Sequence, residues 1–248
     1  MKKALVTVVI PFYENNKFLL NALNSVLNQK YKNYEIIIIN DNNTKKNINF
    51  LKKIKKKSKK IKIIYNYKNL GAGLSRNKGI KISKGKYIAF LDSDDQWKNN
   101  KLKEQIKIME REKYLATHTS YNIVDIKKNI ISKRTAKKLD YQSLLKSCDI
   151  GLSTVILSKK ILRFKNPFPS LKTKEDYVLW LKIAKKGIIF HGLDRVFTQW
   201  TNTPNSLSKS LYQKLKDAIK VYNRYEKMNL IKSCYLTFVL SINYLLKK

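Results

Sequence analysis

Four short apolar runs, at residues 5–10, 35–39, 61–65 and 87–91, are separated by stretches of helical length. Runs this short, rich in Val, Ile and aromatic residues and closed by polar ones, read as strands covered on both faces. Between the first two, Phe18, Leu19, Ala22, Leu23, Val26 and Leu27 recur at helical spacing and mark one apolar face. A lysine-rich helix is expected over about 45–60. A further helix is expected over 74–83, opened by Gly71 and Gly73 and closed at Lys84-Gly85. Strand and helix in alternation predict a parallel sheet with helices on both faces, since parallel neighbours need a crossover. Ligands of such sheets collect beyond the carboxyl ends of the strands. Polar residues stand there three times: Pro11-Phe12-Tyr13-Glu14, Asn40-Asp41 and Asp92-Ser93-Asp94-Asp95.

The last of these is electrostatically costly. Three carboxylates at the end of a buried strand repel one another and resist leaving water. A divalent cation carrying a phosphate-bearing ligand offsets that cost and points to an enzyme that handles a metal-bound nucleotide. An aspartyl-phosphate phosphatase needs its Asp-x-Asp on the first strand, followed by Thr or Val; this cluster follows the fourth strand and runs on as Asp95-Gln96. A calcium loop needs alternating oxygen ligands and a closing Glu, and Gln96-Trp97-Lys98 supplies neither. A solvated turn is the plain structural alternative.

The second half is less regular. Residues 153–157 read as a strand, 165–169 as a loop, 174–186 as a helix ended by Gly187, and 196–200 as a strand. Two helices are expected over about 206–227 and 230–246. Glu175-Asp176 falls in the first turn of the 174–186 helix, where acids suit the helix dipole.

With its strand, the acidic cluster resembles the Asp-x-Asp signature of family 2 glycosyltransferases, and the likeness continues in order over residues 4–200. Val8-Val9-Ile10-Pro11-Phe12-Tyr13-Glu14 is similar to the family's opening strand. Glu35 to Asn42 is similar to its second strand, although Asn40 stands where the family often has a first Asp and Asn42-Asn43-Thr44 replaces Gly-Ser. Asn69-Leu70-Gly71-Ala72-Gly73-Leu74-Ser75-Arg76-Asn77-Lys78-Gly79 matches its glycine and Arg-Asn segment. Lys174-Glu175-Asp176-Tyr177 resembles its Glu-Asp segment. The resemblance implies an α/β fold of the GT-A type, a nucleotide-binding, mixed but mostly parallel sheet flanked by helices, with a C-terminal helical extension. It implies a glycosyltransferase domain over 1–204, with a donor-binding half (1–97) and an acceptor-binding half (98–204), and an extension over 205–248.

The resemblance also implies a site. Pro11, Tyr13 and Glu14 would line the nucleotide-sugar pocket, with Tyr13 against the base, and Asp41 would accept a hydrogen bond from a uracil or thymine imide. Gly71 and Gly73 would let backbone approach the donor, and Arg76 would meet ribose or phosphate. Asp92, Ser93 and Asp94 would hold the nucleotide sugar, with Asp94 and Asp95 closest to Mn²⁺ or Mg²⁺. Asp176, ahead of Glu175, would be the base of an inverting transfer. The implied reaction moves a single sugar from a nucleotide-diphosphate sugar, a UDP-sugar first among them, to a hydroxyl of a glycan or lipid-linked acceptor in bacterial surface polysaccharide or lipopolysaccharide synthesis.

Charge offers a rival. Lys and Arg number 53 against 17 Asp and Glu, a formal net charge of +36, which attracts polyanions. The joint abundance of Lys, Ile and Asn is also what an AT-rich genome encodes. A nucleic-acid-binding protein would need basic residues interleaved with stacking aromatics; that pattern is missing, no specific nucleic-acid partner is expected, and the acidic cluster would go unexplained. A sugar nucleotidyltransferase would place a Gly-rich loop where Pro11-Phe12-Tyr13-Glu14 stands. Cys148 and Cys234 lie far apart, and His118 and His191 are the two histidines, so neither a disulfide framework nor a zinc site is expected. The N-terminal run stops at Pro11 without a cleavage site and reads as a strand rather than a signal peptide. Residues 233–246 carry no formal charge and fall short of the ~20 residues of a membrane-spanning helix. Flanked by Lys232 and Lys247-Lys248, they could lie on an anionic membrane surface or pack on the domain. A cytoplasmic enzyme, peripheral at the inner face of the membrane, is the expectation.

Overall fold

The computed structural model describes residues 3–203 and 210–246. The four apolar runs form β1 (Val6–Phe12), β2 (Tyr34–Asn40), β3 (Ile61–Tyr65) and β4 (Tyr87–Phe90). They lie side by side as β3-β2-β1-β4, all parallel. The crossovers are α1 (Asn16–Leu27), α2 (Lys45–Lys55) and α3 (Ala72–Ile82). On α1 the buried residues Leu19, Ala22, Leu23 and Val26 follow the expected spacing, and Asn15 caps the helix by accepting from the Phe18 amide. Helix α2 stops short of residue 60. Ile54 is its last buried side chain, and the exposed lysines beyond it have no apolar face to bury. Glu35, the one charged residue within β2, is held by the Thr7 hydroxyl and the Lys84 amide, each at 2.6 Å.

The chain then adds β5 (Gln96–Trp97), α4 (Lys101–Arg111), β6 (Ala116–Val124), β7 (Ile130–Arg134), α5 (Tyr141–Lys146), β8 (Ile156–Ser158), α6 (Glu175–Ala184) and β9 (His191–Thr201). These strands extend the same sheet as β4-β8-β6-β9-β5, with β7 beside β6. Antiparallel pairing begins at β4–β8, and β6–β9 returns to parallel, so the sheet is mixed. The strand expected over 153–157 is a correction: Leu152–Thr154 is a 3-10 turn, and pairing starts at Ile156. Within that turn the Thr154 hydroxyl closes back on the chain, donating to the Gly151 carbonyl at 2.6 Å. Two further helices, α7 (Leu211–Lys220) and α8 (Leu230–Leu245), flank a π-helical turn at Val221–Tyr225. Residue 206, the expected start of the first, and Lys247-Lys248 lie outside the described residues.

Alternate residues of β1 feed two cores. Val6, Val8, Ile10 and Phe12 pack with α1, α2 and α4, whereas Val9 packs with residues of β4, α5 and α6 and with Ala218, Val221, Tyr222, Leu236 and Leu240 of the C-terminal helices. Gly79 lets α3 lie directly on β1. A Cβ there would stand 2.5 Å from Val9 Cγ1, well inside van der Waals contact. Gly79→Ala is therefore expected to cost roughly 1–3 kcal/mol, read as a lower denaturant midpoint at unchanged m-value.

Candidate active site

The polar ends of β1, β2 and β4 meet at one edge of the sheet, where the sequence places the candidate residues. Pro11 is buried within β1, while Tyr13 and Glu14 are exposed beyond its end. The Tyr13 carbonyl accepts from the Asn47 side chain at 2.8 Å, and Glu14 lies 3.4 Å from the Asn42 amide.

Asp41 is buried and occupied. Its Oδ1 accepts from Asn66 Nδ2 at 2.7 Å and the Leu70 amide at 2.8 Å, and its Oδ2 accepts from the Gly71 amide at 2.7 Å. The carboxylate thus shapes the loop that enters α3. Gly71 sits at a φ of 83°, where a side chain would be strained, and its N–H reaches Asp41 from there. Asn66, unmarked in the sequence, completes this loop by also donating to Ser75 Oγ at 2.9 Å.

Helix α3 turns its other motif residues toward the second half of the chain. Gly73 approaches the protein itself: a Cβ would stand 3.0 Å from the Pro169 carbonyl oxygen and 3.1 Å from Glu175 Cγ. Asn77 donates to the Phe168 carbonyl and accepts from the Phe168 amide, at 2.7 and 2.9 Å. Arg76 is 3% exposed and bridges Asp92 at 2.6 Å and Glu175 at 2.7 Å. Burial alone would lower its pKa, but the two carboxylates outweigh burial and hold it above its ordinary value.

The members of the acidic cluster occupy unequal places. Asp92 is partly exposed and paired with Arg76. Asp95 is 1% exposed and turned inward, Oδ2 accepting from Ser153 Oγ at 2.5 Å and Oδ1 from the Thr201 amide at 2.9 Å. Ser153 Oγ also accepts from the Asp92 amide at 3.0 Å, so one hydroxyl ties the cluster together. Asp94 and Ser93 remain partly exposed. Loss of water around Asp94 and the nearby charge of Asp92 push its carboxyl up to about 6, and Lys128 and Arg76 oppose the rise. Lys128, from the turn after β6, donates to Thr201 Oγ1 at 3.0 Å. Among the described residues no ready-made trio of Asp, Glu, His or Cys converges on a cation. The donor set still suits a hard cation, because Mg²⁺-like ions take one or two protein carboxylates and complete their shell with phosphate and water. Asp94 and Asp92 are such oxygens, partly exposed at the strand end.

Asp176 stands in the first turn of α6, half-buried, with Oδ1 accepting from the Tyr177 amide at 2.7 Å. Desolvation, then the charge of Glu175, push its carboxyl up to about 7 against the pull of Arg76. Both acids lie in the first turn of α6, and Asp176 accepts one of its free N–H groups, as the helix dipole favours; Lys174 occupies the cap at a φ of 63° with no side-chain cap bond, and Glu175 is in addition engaged by Arg76. The Arg76 bridge thus brings the β4 end and the Glu175-Asp176 turn together. Ser153, Thr201, Asn66 and Lys128 are additions that no local pattern flagged.

A family model described as "Glycosyl transferase family 2" matches residues 7–166. The chain is 36% identical over 247 residues to an Escherichia coli protein, UDP-Glc:alpha-D-GlcNAc-diphosphoundecaprenol beta-1,3-glucosyltransferase WfaP, covering 93% of this chain and 96% of that one. Among solved structures, S. aureus TarS 1-349 in complex with UDP-GlcNAc superposes with a TM-score of 0.73 at 19% identity, over 94% of this chain and 70% of that one. The mannosyltransferase PcManGT from Pyrobaculum calidifontis, in complex with GDP-Man and Mn²⁺, superposes with a TM-score of 0.68 at 13% identity, over 95% and 70%. At these identities the solved structures bear on the fold alone.

Proposed function

We propose that this chain, which belongs to glycosyl transferase family 2 and has the GT-A fold, moves a single sugar from a UDP-sugar to a hydroxyl of a lipid-linked glycan, with inversion. The observation that carries the reading is Asp176: a half-buried carboxyl lifted to about 7, tied through Arg76 to the acidic strand end. A base with a pKa near the working pH holds its charge and still accepts a proton readily. In this scheme Asp176 takes the proton of the acceptor hydroxyl as that oxygen bonds to the anomeric carbon. The bond from that carbon to the nucleoside diphosphate breaks, and the diphosphate leaves with the electron pair.

We assign residues 1–97 to the donor and 98–204 to the acceptor, with 205–248 as an extension. Tyr13 offers an exposed ring for the base. Three of the roughly four lone-pair sites of Asp41 are filled, which leaves one for an imide N–H. We assign Mn²⁺ or Mg²⁺ to Asp94 with Asp92 beside it, rather than to Asp94 with Asp95, because both oxygens of Asp95 are already bonded inward. Such an ion would neutralise charge on the departing diphosphate. Lys128 adds a positive group beside Asp94 and Asp95. The lipid-linked acceptor rests on the relative named for a diphosphoundecaprenol substrate.

The test is a panel of nucleotide sugars offered with a GlcNAc-diphosphate lipid, with product and its anomeric configuration read by NMR. Transfer from no donor, or a retained configuration, would defeat the reading. UDP with Mn²⁺ at about a hundredfold over Kd should add about 2.7 kcal/mol, roughly 5–10 °C in Tm for a chain of this size. Asp94→Ala should abolish the Mn²⁺-dependent part of that shift.

A further inference from the structure

Helix α8 is mounted with its more apolar side outward. Its buried stripe is Ser233, Leu236, Thr237 and Leu240. The two hydroxyls in that stripe are satisfied within the helix, Ser233 donating to the Asn229 carbonyl and Thr237 to the Ser233 carbonyl, each at 2.8 Å. The opposite stripe, Ile231, Tyr235, Phe238, Ile242 and Leu245, repeats at steps of four and three. Ile231 is 84% exposed, Phe238 64% and Tyr235 63%. Helix α7 contributes Leu211 and Tyr212, both well exposed. A helix on a water-facing surface normally turns this stripe inward. A lone exposed Leu needs no explanation, but a full stripe marks a surface that something covers.

Charge identifies the cover. Between residues 210 and 246 the acids are Asp217 and Glu226, and both are buried. Asp217 accepts from Thr173, and Glu226 accepts from Tyr141 and Lys185. Lys216, Arg224, Lys227 and Lys232 are exposed on the same segment. The charges this surface presents to solvent are therefore positive. A second copy of the chain is a poor cover, since each copy carries a formal +36 and pairing the faces would oppose like charges.

We propose that the α7–α8 face docks on an anionic lipid bilayer, the apolar stripe entering the headgroup boundary and the basic residues meeting lipid phosphates. No helix among the described residues is long and apolar enough to cross a membrane, so this is attachment to the surface. Docking also sets the height of the site. Asp217 of α7 accepts from the Thr173 amide at 3.1 Å and its hydroxyl at 3.0 Å, so the docking helix holds the chain three residues before Asp176. This last link rests on the lipid-linked acceptor proposed above; the docking does not.

The full chain is to be co-sedimented with vesicles of phosphatidylglycerol and phosphatidylcholine, and with vesicles of phosphatidylcholine alone. Binding to the anionic vesicles, weakened by salt, is expected. The triple variant Tyr235→Ser, Phe238→Ser, Ile242→Ser changes only exposed side chains and should lower partitioning on the order of tenfold or more, since each removes apolar area from the headgroup boundary. Its hydrolysis of a soluble UDP-sugar should stay at the wild-type rate, so loss of docking and loss of the transferase reading are separate results. No binding to anionic vesicles at low salt overturns the proposal. Equal binding by the triple variant overturns it too, assigning attachment to lysines elsewhere. A dimer in sedimentation velocity that the triple variant dissolves, with no vesicle binding, overturns it in favour of self-association.

Discussion

Asp176→Asn is expected to slow sugar transfer by about 10²–10⁴-fold while leaving UDP binding unchanged. The wild-type rate should fall about tenfold per pH unit below the carboxyl's value near 7 and level off above it, because the charged form is the base. The variant should lose that acid limb. Stability moves the opposite way. The folded state holds the Asp176 proton more tightly than the unfolded chain, whose carboxyl has an ordinary low pKa. The resulting stabilisation is present below the unfolded value and is lost as pH rises through about 7. An amide cannot ionise, so Asp176→Asn should melt no lower than wild type at pH 8. A slow but fully stable variant separates chemistry from misfolding; wild-type turnover, or an unmoved acid limb, would discard Asp176 as the base.

Arg76→Met is expected to be the most destabilising of the site substitutions, by about 3–5 kcal/mol. It leaves Asp92 and Glu175 facing one another without the guanidinium that joins them at 2.6 and 2.7 Å. Arg76→Lys should recover only part of the loss, because one ammonium does not reproduce two fork ends aimed at two carboxylates. Urea denaturation measures both. A Met variant within about 1 kcal/mol of wild type, the usual worth of an exposed pair, would show that the bridge contributes little.

The parallel part of the sheet was legible because its strands are apolar throughout and its helices keep strict spacing, as Leu19, Ala22, Leu23 and Val26 do. The middle of the chain was not, for a physical reason. The buried stretch of β6 is Ala116-Thr117-His118-Thr119-Ser120, polar after its first residue, so it carries little hydropathy signal. His118 is desolvated down to about 4, with Nε2 beside the Lys137 carbonyl at 2.8 Å. Ser120 is paired with Asp194 at 2.8 Å. Helix α4 is masked likewise, since Lys101 and Gln105 share its buried stripe with Leu102, Ile106 and Met109.

The site divides along the same line. Asp41, Arg76, Asp92, Asp94 and Asp176 stood out by motif, whereas their partners are set by tertiary folding. Arg76 and Glu175 are 99 residues apart, and Asp95 and Thr201 are 106 apart. No local spacing encodes such pairs. Gly73 also lies against Pro169 and Glu175, neighbours the motif does not name, because a glycine reports close approach without naming what approaches.

The joint between α3 and residues 168–175 has a mechanical consequence. Gly73 against Pro169, the paired bonds of Asn77 with Phe168 and the Arg76–Glu175 bridge fasten three points along one helix. A hinge needs a few residues free to absorb backbone rotation, and this seam offers none without breaking the bridge. The strand ends and the Asp176 turn therefore travel as one block. Any closure belongs to segments outside that joint, and the spacing between the Asp176 turn and the acidic end of β4 is built in at folding.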